Sequence, residues 1–512
     1  MFFSLVSQDS LIKSRLEAEY YDPVKINKLK WLDVWKDRSE ILENLCEFIT
    51  DGTHQTPSYV GEGEVFLSGK NIMDGWIDPN DTKFITSSDL VLLEKNKCSP
   101  IVGDILLSKN GRIGTASVYQ KHHPVCGLFV SVALLRHISQ NDPQYLSVVI
   151  NSALGFDQFV RSSKTGVITN LHLEEIRETV IPLPNEKVQT FIGDKARQSE
   201  LLRKWTKILR QEIKQSLNSS GLEESVSTKL KKFNTISSSD LSPRLDPKYY
   251  GNRALNVFNA TKADGVQIKY LIKSIANGFE ERSFVKKGVD YITVSEVSSG
   301  RLNIINAPKI SDQTEIPIKA YVNEKDVLVV RTGSIGTAIK IDKRDAGAVI
   351  SSHLIKLKFD SESLAASVAL FLNSEAGKIL QQKISYGAVQ PQIGQDELLA
   401  LSIPKFVLDK QEELFCLNFK LEEIIRTSLI LTQTSKTLVE SLISEKLSER
   451  EIIEAQHGLE EGDNSKDRAI LSKLTDKGYL ADNGKPLFTD LDKLYELLDE
   501  AKQAVDANEE SA

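Results

Sequence analysis

An internal repeat, each copy of which runs into a long amphipathic stretch, restricts this chain more than any other feature. GDILLSKNGRIGTAS, Gly103–Ser117, matches KDVLVVRTGSIGTAI, Lys325–Ile339, at a constant offset of 222. Asp104 falls on Asp326, Gly111 on Gly333, and Ile113-Gly114-Thr115-Ala116 on Ile335-Gly336-Thr337-Ala338. Upstream, Arg15, Leu16, Tyr20 and Tyr21 match Arg244, Leu245, Tyr249 and Tyr250; downstream, Gly166 through Ile181-Pro182 matches Gly387 through Ile403-Pro404. Such self-similarity marks a duplicated structural unit. The stretches that close the copies, Asn185–Leu217 and Asp409–Leu447, read as helices. In the second, Leu414, Leu417, Leu421, Ile424, Ser428, Leu431, Ser435, Leu438 and Leu442 recur at steps of three and four, the spacing of a seam that packs on another helix. The partner expected is the first helix, apolar at Val188, Ile192, Leu202, Trp205, Leu209 and Ile213. At about 1.5 Å per residue either helix is roughly 50–60 Å long.

Within each copy, short β-branched runs broken by turn residues predict strands. Ile105–Ser108 and Val327–Val330 are buried strands leading into Asn110-Gly111 and Thr332-Gly333, and Gly127–Arg136 and Ala348–Lys358 read as strands too. Tyr145–Phe159 and Ser363–Leu380 read as helices. The chain thus divides into a mixed α/β unit over 1–184, a long helix over 185–217, a Ser-rich linker over 218–240, a second unit over 241–408, a long helix over 409–447 and an acidic helical extension over 448–512.

The net charge of −7 speaks against nucleic acid only until it is located. From Glu445 to Ala512 there are 9 Lys/Arg against 18 Asp/Glu, so the rest of the chain carries a small positive balance and a basic face is allowed. There is no apolar run of the roughly eighteen residues a membrane helix needs, and MFFSLVSQDS lacks a basic flank or cleavage pattern, so a cytoplasmic protein is expected. Cys46, Cys98, Cys126 and Cys416 lie far apart, without a C-x-x-C pair, and read as buried free thiols.

Catalytic and metal motifs are missing. Gly69-Lys70 has no P-loop glycine before it, and Ile335-Gly336 is not followed by Lys-Ser/Thr. Asp246-Pro247-Lys248-Tyr249-Tyr250 faintly resembles the Asn/Asp-Pro-Pro-Tyr of adenine methyltransferases, but its third residue differs and its counterpart Glu17-Ala18-Glu19-Tyr20 lacks the proline. His122-His123 before Pro124 reads as a surface turn, and no metal site is expected. Polar loops beside buried strands remain as the candidate site. Lys109, Asn110 and Arg112 occupy the same turn as Arg331, Thr332 and Ser334, where a cation and an amide or hydroxyl can reach phosphates or base edges. An ordinary turn would need the same glycines; the cation repeated at Lys109 and Arg331 argues for contact. Thr53, His54 and Gln55 form a second polar loop, answered by Arg282 and Ser283; Lys164, Thr169 and Asn170 form a third, answered by Gln390 and Gln392. Lys70 and Asn71 complete the set.

Through these motifs the chain resembles the specificity (S) subunit of type I restriction-modification systems. The likeness is carried by D-G-T-H-x-T-P at Asp51–Pro57, L-S-G-K-N-I at Leu67–Ile72, G-D-I-L-L-S-K-N-G-R-I-G at Gly103–Gly114 with its copy at Asp326–Gly336, and T-N-L at Thr169–Leu171 before Ile181-Pro182-Leu183-Pro184. It spans about Ile41–Leu447; the second half departs from it at Ala276–Ser283 and Gln390-Pro391-Gln392, and the acidic region lies outside it. The resemblance implies an α+β fold: two pseudo-symmetric target recognition domains joined by two long antiparallel helices, with the acidic helical region appended. The apolar spacing already assigns the packing between those helices to Leu202, Trp205, Leu209, Leu417, Leu421, Ile424, Leu431 and Leu438. The resemblance also implies a non-catalytic subunit that reads a bipartite site on double-stranded DNA and docks methyltransferase subunits and, in a restricting complex, a translocase. The chain itself would hold no cofactor; S-adenosylmethionine and ATP with Mg²⁺ would belong to the partner subunits. Two alternatives compete: a scaffold whose duplicated domains bind protein, and a specificity subunit of a non-restriction defence complex.

Overall fold

The computed structural model describes residues 17–137, 140–162, 170–238, 241, 244–297, 302, 304, 307–387 and 389–511. The chain forms two compact units: unit 1 comprises Met1–Thr206 with Ile424–Ala512, and unit 2 comprises Lys207–Glu423. The division falls inside both long helices, which span Glu186–Ser216 and Gln411–Ile443. Among the described residues no helix is long and apolar enough to cross a membrane.

Each unit is built on the same antiparallel sheet. In unit 1 the strand order is Cys46–Asp51, Val132–His137, Ile105–Ser108, Ala116–Val118; in unit 2 it is Ser274–Asn277, Leu354–Lys358, Asp326–Val330, Ala338–Lys340. A smaller sheet stands beside each and contains one parallel pair, Glu64–Leu67 with Cys126–Leu128 and Val289–Ile292 with Val349–Ile350. The cores correspond residue by residue: Leu106, Leu128 and Val132 in unit 1 stand where Leu328, Ile350 and Leu354 stand in unit 2, all buried. Each such aliphatic, taken out of water, contributes about 1.5–3 kcal/mol.

The predicted strands Gly127–Arg136 and Ala348–Lys358 are each two strands, because the chain leaves the small sheet and joins the large one within the run. A glycine marks each crossing. A Cβ on Gly52 would lie 2.4 Å from the Leu128 carbonyl oxygen, and one on Gly278 would lie 2.0 Å from that of Ile350, so the backbones pass too closely for any other residue. The predicted helices Tyr145–Phe159 and Ser363–Leu380 are likewise each two helices, Pro143–Asn151 with Ala153–Ser162 and Glu362–Asn373 with Glu375–Ile384. Ser152 and Ser374 sit at the breaks and accept amide hydrogen bonds from Leu154 and Gly377. Just before each break an asparagine ties the helix to the sheet: Asn151 Oδ1 accepts from the Ala116 amide at 2.7 Å, and Asn373 Oδ1 from that of Ala338 at 2.8 Å.

The tyrosine repeat is a clasp. Lys383 donates to the Tyr249 carbonyl at 2.8 Å and lies 3.2 Å from the centre of its ring; Arg161 donates to the Tyr20 carbonyl at 3.3 Å and lies 4.3 Å from that ring. The methyltransferase-like Asp246-Pro247-Lys248-Tyr249-Tyr250 is therefore structural, with Asp246 chelated by Arg244. Arg15 and Leu16 lie outside the described residues. The stretch read as a linker contains a helix, Ser220–Val226, and the Asn252 side chain binds the backbone of Lys229 and Lys231, strapping that stretch onto unit 2. Cys46, Cys98 and Cys126 are buried, whereas Cys416 is exposed, contrary to the sequence expectation.

The predicted seam is present. In unit 1 Val188, Ile192, Leu202 and Trp205 are buried, as are Ile424, Leu431, Leu438 and Leu442. The two stretches run antiparallel there: Ala196 lines a small cleft with Ser435 and Lys436, and Ser199 donates to the Ser428 carbonyl at 2.7 Å. In unit 2 Leu209, Ile213, Leu414 and Leu421 are buried, Leu417 is half-buried, and Ser216 donates to Glu413 at 2.7 Å.

The acidic C-terminal region is a layer of unit 1 rather than a loose extension. Its helices Glu449–Glu460, Ser465–Leu471 and Leu491–Ser511 bury Ile452, Ile470, Leu471, Leu494, Leu497 and Val505. Lys195 on the first long helix pairs with Asp467 at 2.7 Å, each side chain 1 % exposed, and the Tyr495 hydroxyl donates to the same carboxylate at 2.5 Å. Outside this buried group, Lys187 meets Glu460 at 2.7 Å and the Asn185 amide donates to Glu449 at 3.0 Å.

Candidate nucleic-acid interface

Sheet register brings the predicted loops of each unit together. In unit 1 Asp51 pairs with Ala133 and Val132 with Ser108, so residues 52–57 and 109–115 leave the sheet at one edge. The Leu171 amide donates to the Lys109 carbonyl at 3.1 Å and brings Asn170 to that edge. In unit 2 Asn277 pairs with Ile355 and Leu354 with Val330, which places residues 278–283 and 331–337 at the equivalent edge. Ile393 donates to the Arg331 carbonyl at 2.9 Å and adds the loop containing Gln390 and Gln392.

The side chains at the two edges differ. Lys109 is not the exposed cation that the sequence predicts. It is buried and its ammonium lies 2.5 Å from Asp51 Oδ1, while His54 Nε2 stands 3.6 Å from the other carboxylate oxygen. The register puts Asn277 where Asp51 stands, and Asn277 accepts instead from Gln395 at 2.9 Å. Arg331, the counterpart of Lys109, is half-buried; its backbone is held by His353 and Ile393, and its guanidinium meets no carboxylate among the described residues. One exchange of acid for amide therefore neutralises the cation at the first edge and leaves it available at the second.

The remaining candidates divide by exposure. His54, Gln55, Asn110 and Asn170 are exposed, and Thr53 is half-buried, with its hydroxyl accepting the Gln55 amide at 3.1 Å. Lys70 is exposed and paired with Asp81 at 2.8 Å, a surface pair worth about 0–1 kcal/mol that a phosphate could displace. Asn71 is buried, contrary to a contact role: its side chain completes a capping box with Ser68 and donates to the Asp78 carbonyl at 3.0 Å. Arg112 is exposed, with its guanidinium against the Met73 sulfur. Thr332 is buried and its backbone bridges Gln392, which is half-buried; Ser334 and Gln390 are exposed. Arg282 is exposed but pairs with Glu280 of its own loop, and Glu281, held below the usual carboxylate range by the amides of Ser283 and Arg282, makes that loop net acidic. Lys164 and Thr169 lie outside the described residues. Asp51 and Asn277 decide the charge of each edge; the sequence sets Thr50-Asp51-Gly52 against Ala276-Asn277-Gly278, but only the strand pairing shows that these positions face Lys109 and Arg331.

Several groups tie the sheets of unit 1 and the helices beside them to its long helices. Asp74 meets Lys436 at 2.6 Å, Asp142 meets Arg197 at 2.6 Å, and Arg203, its pKa pushed down to about 10 by burial, lies 5.3 Å from the centre of the Trp76 ring while it donates to Thr432 on the other long helix at 2.9 Å. His122, His123 and Glu200 bring potential ligand atoms within 4.8 Å of one another. His123 Nδ1 accepts the Gln120 amide at 2.8 Å, so the other ring nitrogen carries the proton of the neutral imidazole and offers a metal no lone pair. His122 Nε2 stands 3.6 Å from Glu200, another tie to the first long helix.

No protein-family model and no curated protein matches the chain. Solved structures that align over most of the chain include S subunits of type I restriction-modification systems at low sequence identity. One is the S subunit from M. genitalium, with 13 % identity and a TM-score of 0.42 over 79 % of this chain and 95 % of that one. Another is the HsdS subunit from Thermoanaerobacter tengcongensis, with 14 % identity and a TM-score of 0.25 over 80 % and 97 %. A third comes from work on complex assembly and conformational transition of the type I R-M system, with 12 % identity and a TM-score of 0.28 over 79 % and 97 %.

Proposed function

We propose that this chain is a non-catalytic DNA-recognition subunit that reads a bipartite target, one half with each unit, and docks methyltransferase and restriction subunits onto it. The observation carrying this reading is the repetition of one frame: the same four-stranded order, the same crossing glycines, and loops with different side chains gathered at the same sheet edge. A duplicated scaffold with divergent loops is what two unlike half-sites require, since phosphate contacts position a domain and base-edge contacts specify it. Methyl transfer with S-adenosylmethionine and ATP-driven translocation fall to the partner subunits, and the paired long helices set the gap between half-sites. The test is methylation-sensitive sequencing of host DNA with the chain present and absent. A two-part motif with a fixed gap is expected only when it is present, and a motif unchanged by its removal overturns the proposal. Deleting seven residues from each long helix should shorten that gap; an unaltered gap would remove the spacer role.

A further inference from the structure

The large sheet of unit 1 has a second built end. Ile105 pairs with Leu135 and with Val118, so the residues just before Ile105 and just after Val118 meet at the end of the sheet away from Ser108 and the loop 109–115. There Ile101–Asp104 closes as a tight turn. The Asp104 amide donates to the Ile101 carbonyl at 3.0 Å, the Ile101 amide donates to the Asp104 carboxylate at 2.8 Å, and Gly103 supplies the φ of +97° needed at the third position. The Gly103 amide is tied to the Tyr119 carbonyl at 2.9 Å, and the Tyr119 hydroxyl donates to the Pro124 carbonyl at 2.8 Å, holding the segment that carries Val125. On this support Ile101, Val102 and Val125 are 55, 59 and 57 % exposed, and all three line one groove of about 510 Å³.

The rim of the groove is basic. Lys97 and Lys121 are exposed and meet no carboxylate among the described residues; Arg136 is held by Asp104 at 3.0 Å, and Glu94 is the opposing acid. Unit 2 keeps the turn and loses the aliphatics. Asn323–Asp326 closes through the same two bonds, at 3.0 and 2.9 Å, but at the offset of 222 Asn323, Glu324 and Gly347 stand for Ile101, Val102 and Val125. The apolar groove is therefore no requirement of the fold. Exposed aliphatics gathered in one concavity mark a docking surface. β-Branched side chains on a fixed turn lose few rotamers when covered, and the free ammonium groups favour carboxylates opposite them. Nucleic acid suits the lysines and not the aliphatics, and a second copy docking through the same face would set lysine against lysine. We propose that this groove docks an acidic, aliphatic segment of a partner protein while leaving the nucleic-acid edge of unit 1 uncovered.

The experiment pans displayed random short peptides on the full-length chain and synthesises those enriched. They should carry carboxylates beside aliphatic side chains. Ile101→Asn combined with Val102→Glu, which installs the side chains of unit 2, should weaken their binding about tenfold or more, the contribution of one aliphatic side chain withdrawn from water, with thermal melting unchanged. Lys121→Glu should weaken binding about threefold and flatten its dependence on salt. Failure to enrich any peptide, enrichment of basic or uncharged peptides alone, or equal binding by the double variant would overturn the proposal. So would displacement of the peptide by random-sequence duplex DNA. A dimer of the chain alone, seen by sedimentation and abolished by Val102→Glu, would assign the groove to a second copy and overturn it as well.

Discussion

The two units share a sheet and differ in how tightly they are built around it. Unit 1 locks its edge lysine to Asp51, ties its sheets to the long helices through Asp74 and Asp142 and through Arg203 over Trp76, and covers the first helix with a C-terminal layer anchored at Asp467. Unit 2 has Asn277 where unit 1 has Asp51, leaves Arg331 without a carboxylate partner among the described residues, and contains no part of the C-terminal layer. Duplication evidently preserved the backbone frame, while the charged side chains on it were free to become structural in one copy and available in the other.

That contrast can be broken most decisively at Asp467. Asp467→Ala leaves Lys195 charged and unpaired in the interior and should cost unit 1 about 3–5 kcal/mol, seen as a lowered melting transition; an unchanged transition would show that the C-terminal layer does not brace the helix. Next is Lys109→Ala, which strands the Asp51 carboxylate and should destabilise unit 1 by about 3 kcal/mol, whereas Arg331→Ala should change stability by no more than about 0.5 kcal/mol and weaken DNA binding instead. Equal effects on stability would erase the difference between the two edges. The edges should also be exchangeable. Asn277→Asp supplies Arg331 with a carboxylate and should lower the salt dependence of DNA binding by about one counterion, while Asp51→Asn, by releasing Lys109, should raise it by a similar amount.

The smallest effect distinguishes the clasps. Burial and the neighbouring Arg244 push the Lys383 ammonium down to about 8. With its folded pKa below the unfolded value near 10.4, Lys383 makes unit 2 more stable as pH rises from about 8 to 10, because the unfolded chain holds the proton more tightly there. Lys383→Arg, which installs the cation of the unit 1 clasp, should flatten that rise in pH-dependent melting; a rise of equal size in the variant would assign it to another group.

The repeated glycines, the strand runs and the helical seam could be read from the sequence because each rests on local spacing. Lys109 could not be placed in the same way. Its partner lies 58 residues earlier, and only the pairing of Asp51 with Ala133 and of Val132 with Ser108 brings them together. The C-terminal layer was hidden for a similar reason: its apolar positions have ordinary helical spacing, and nothing local in Asp467 distinguishes a buried counter-ion from the surface acids around it. The breaks at Ser152 and Ser374 were missed because apolar periodicity continues across them, while a single hydroxyl starts the new helix.

The partition of the chain has a consequence for its synthesis. Unit 2 is one uninterrupted segment, Lys207–Glu423, whereas unit 1 needs residues from both ends. On the ribosome the usual order, in which the leading domain folds first, is therefore reversed for completion. The middle of the polypeptide can finish folding while the first unit still lacks its second helix and the counter-ion for Lys195, and that unit closes only after Asp467 and Tyr495 have emerged. Chains cut short by premature termination would carry a finished unit 2 and an unfinished unit 1.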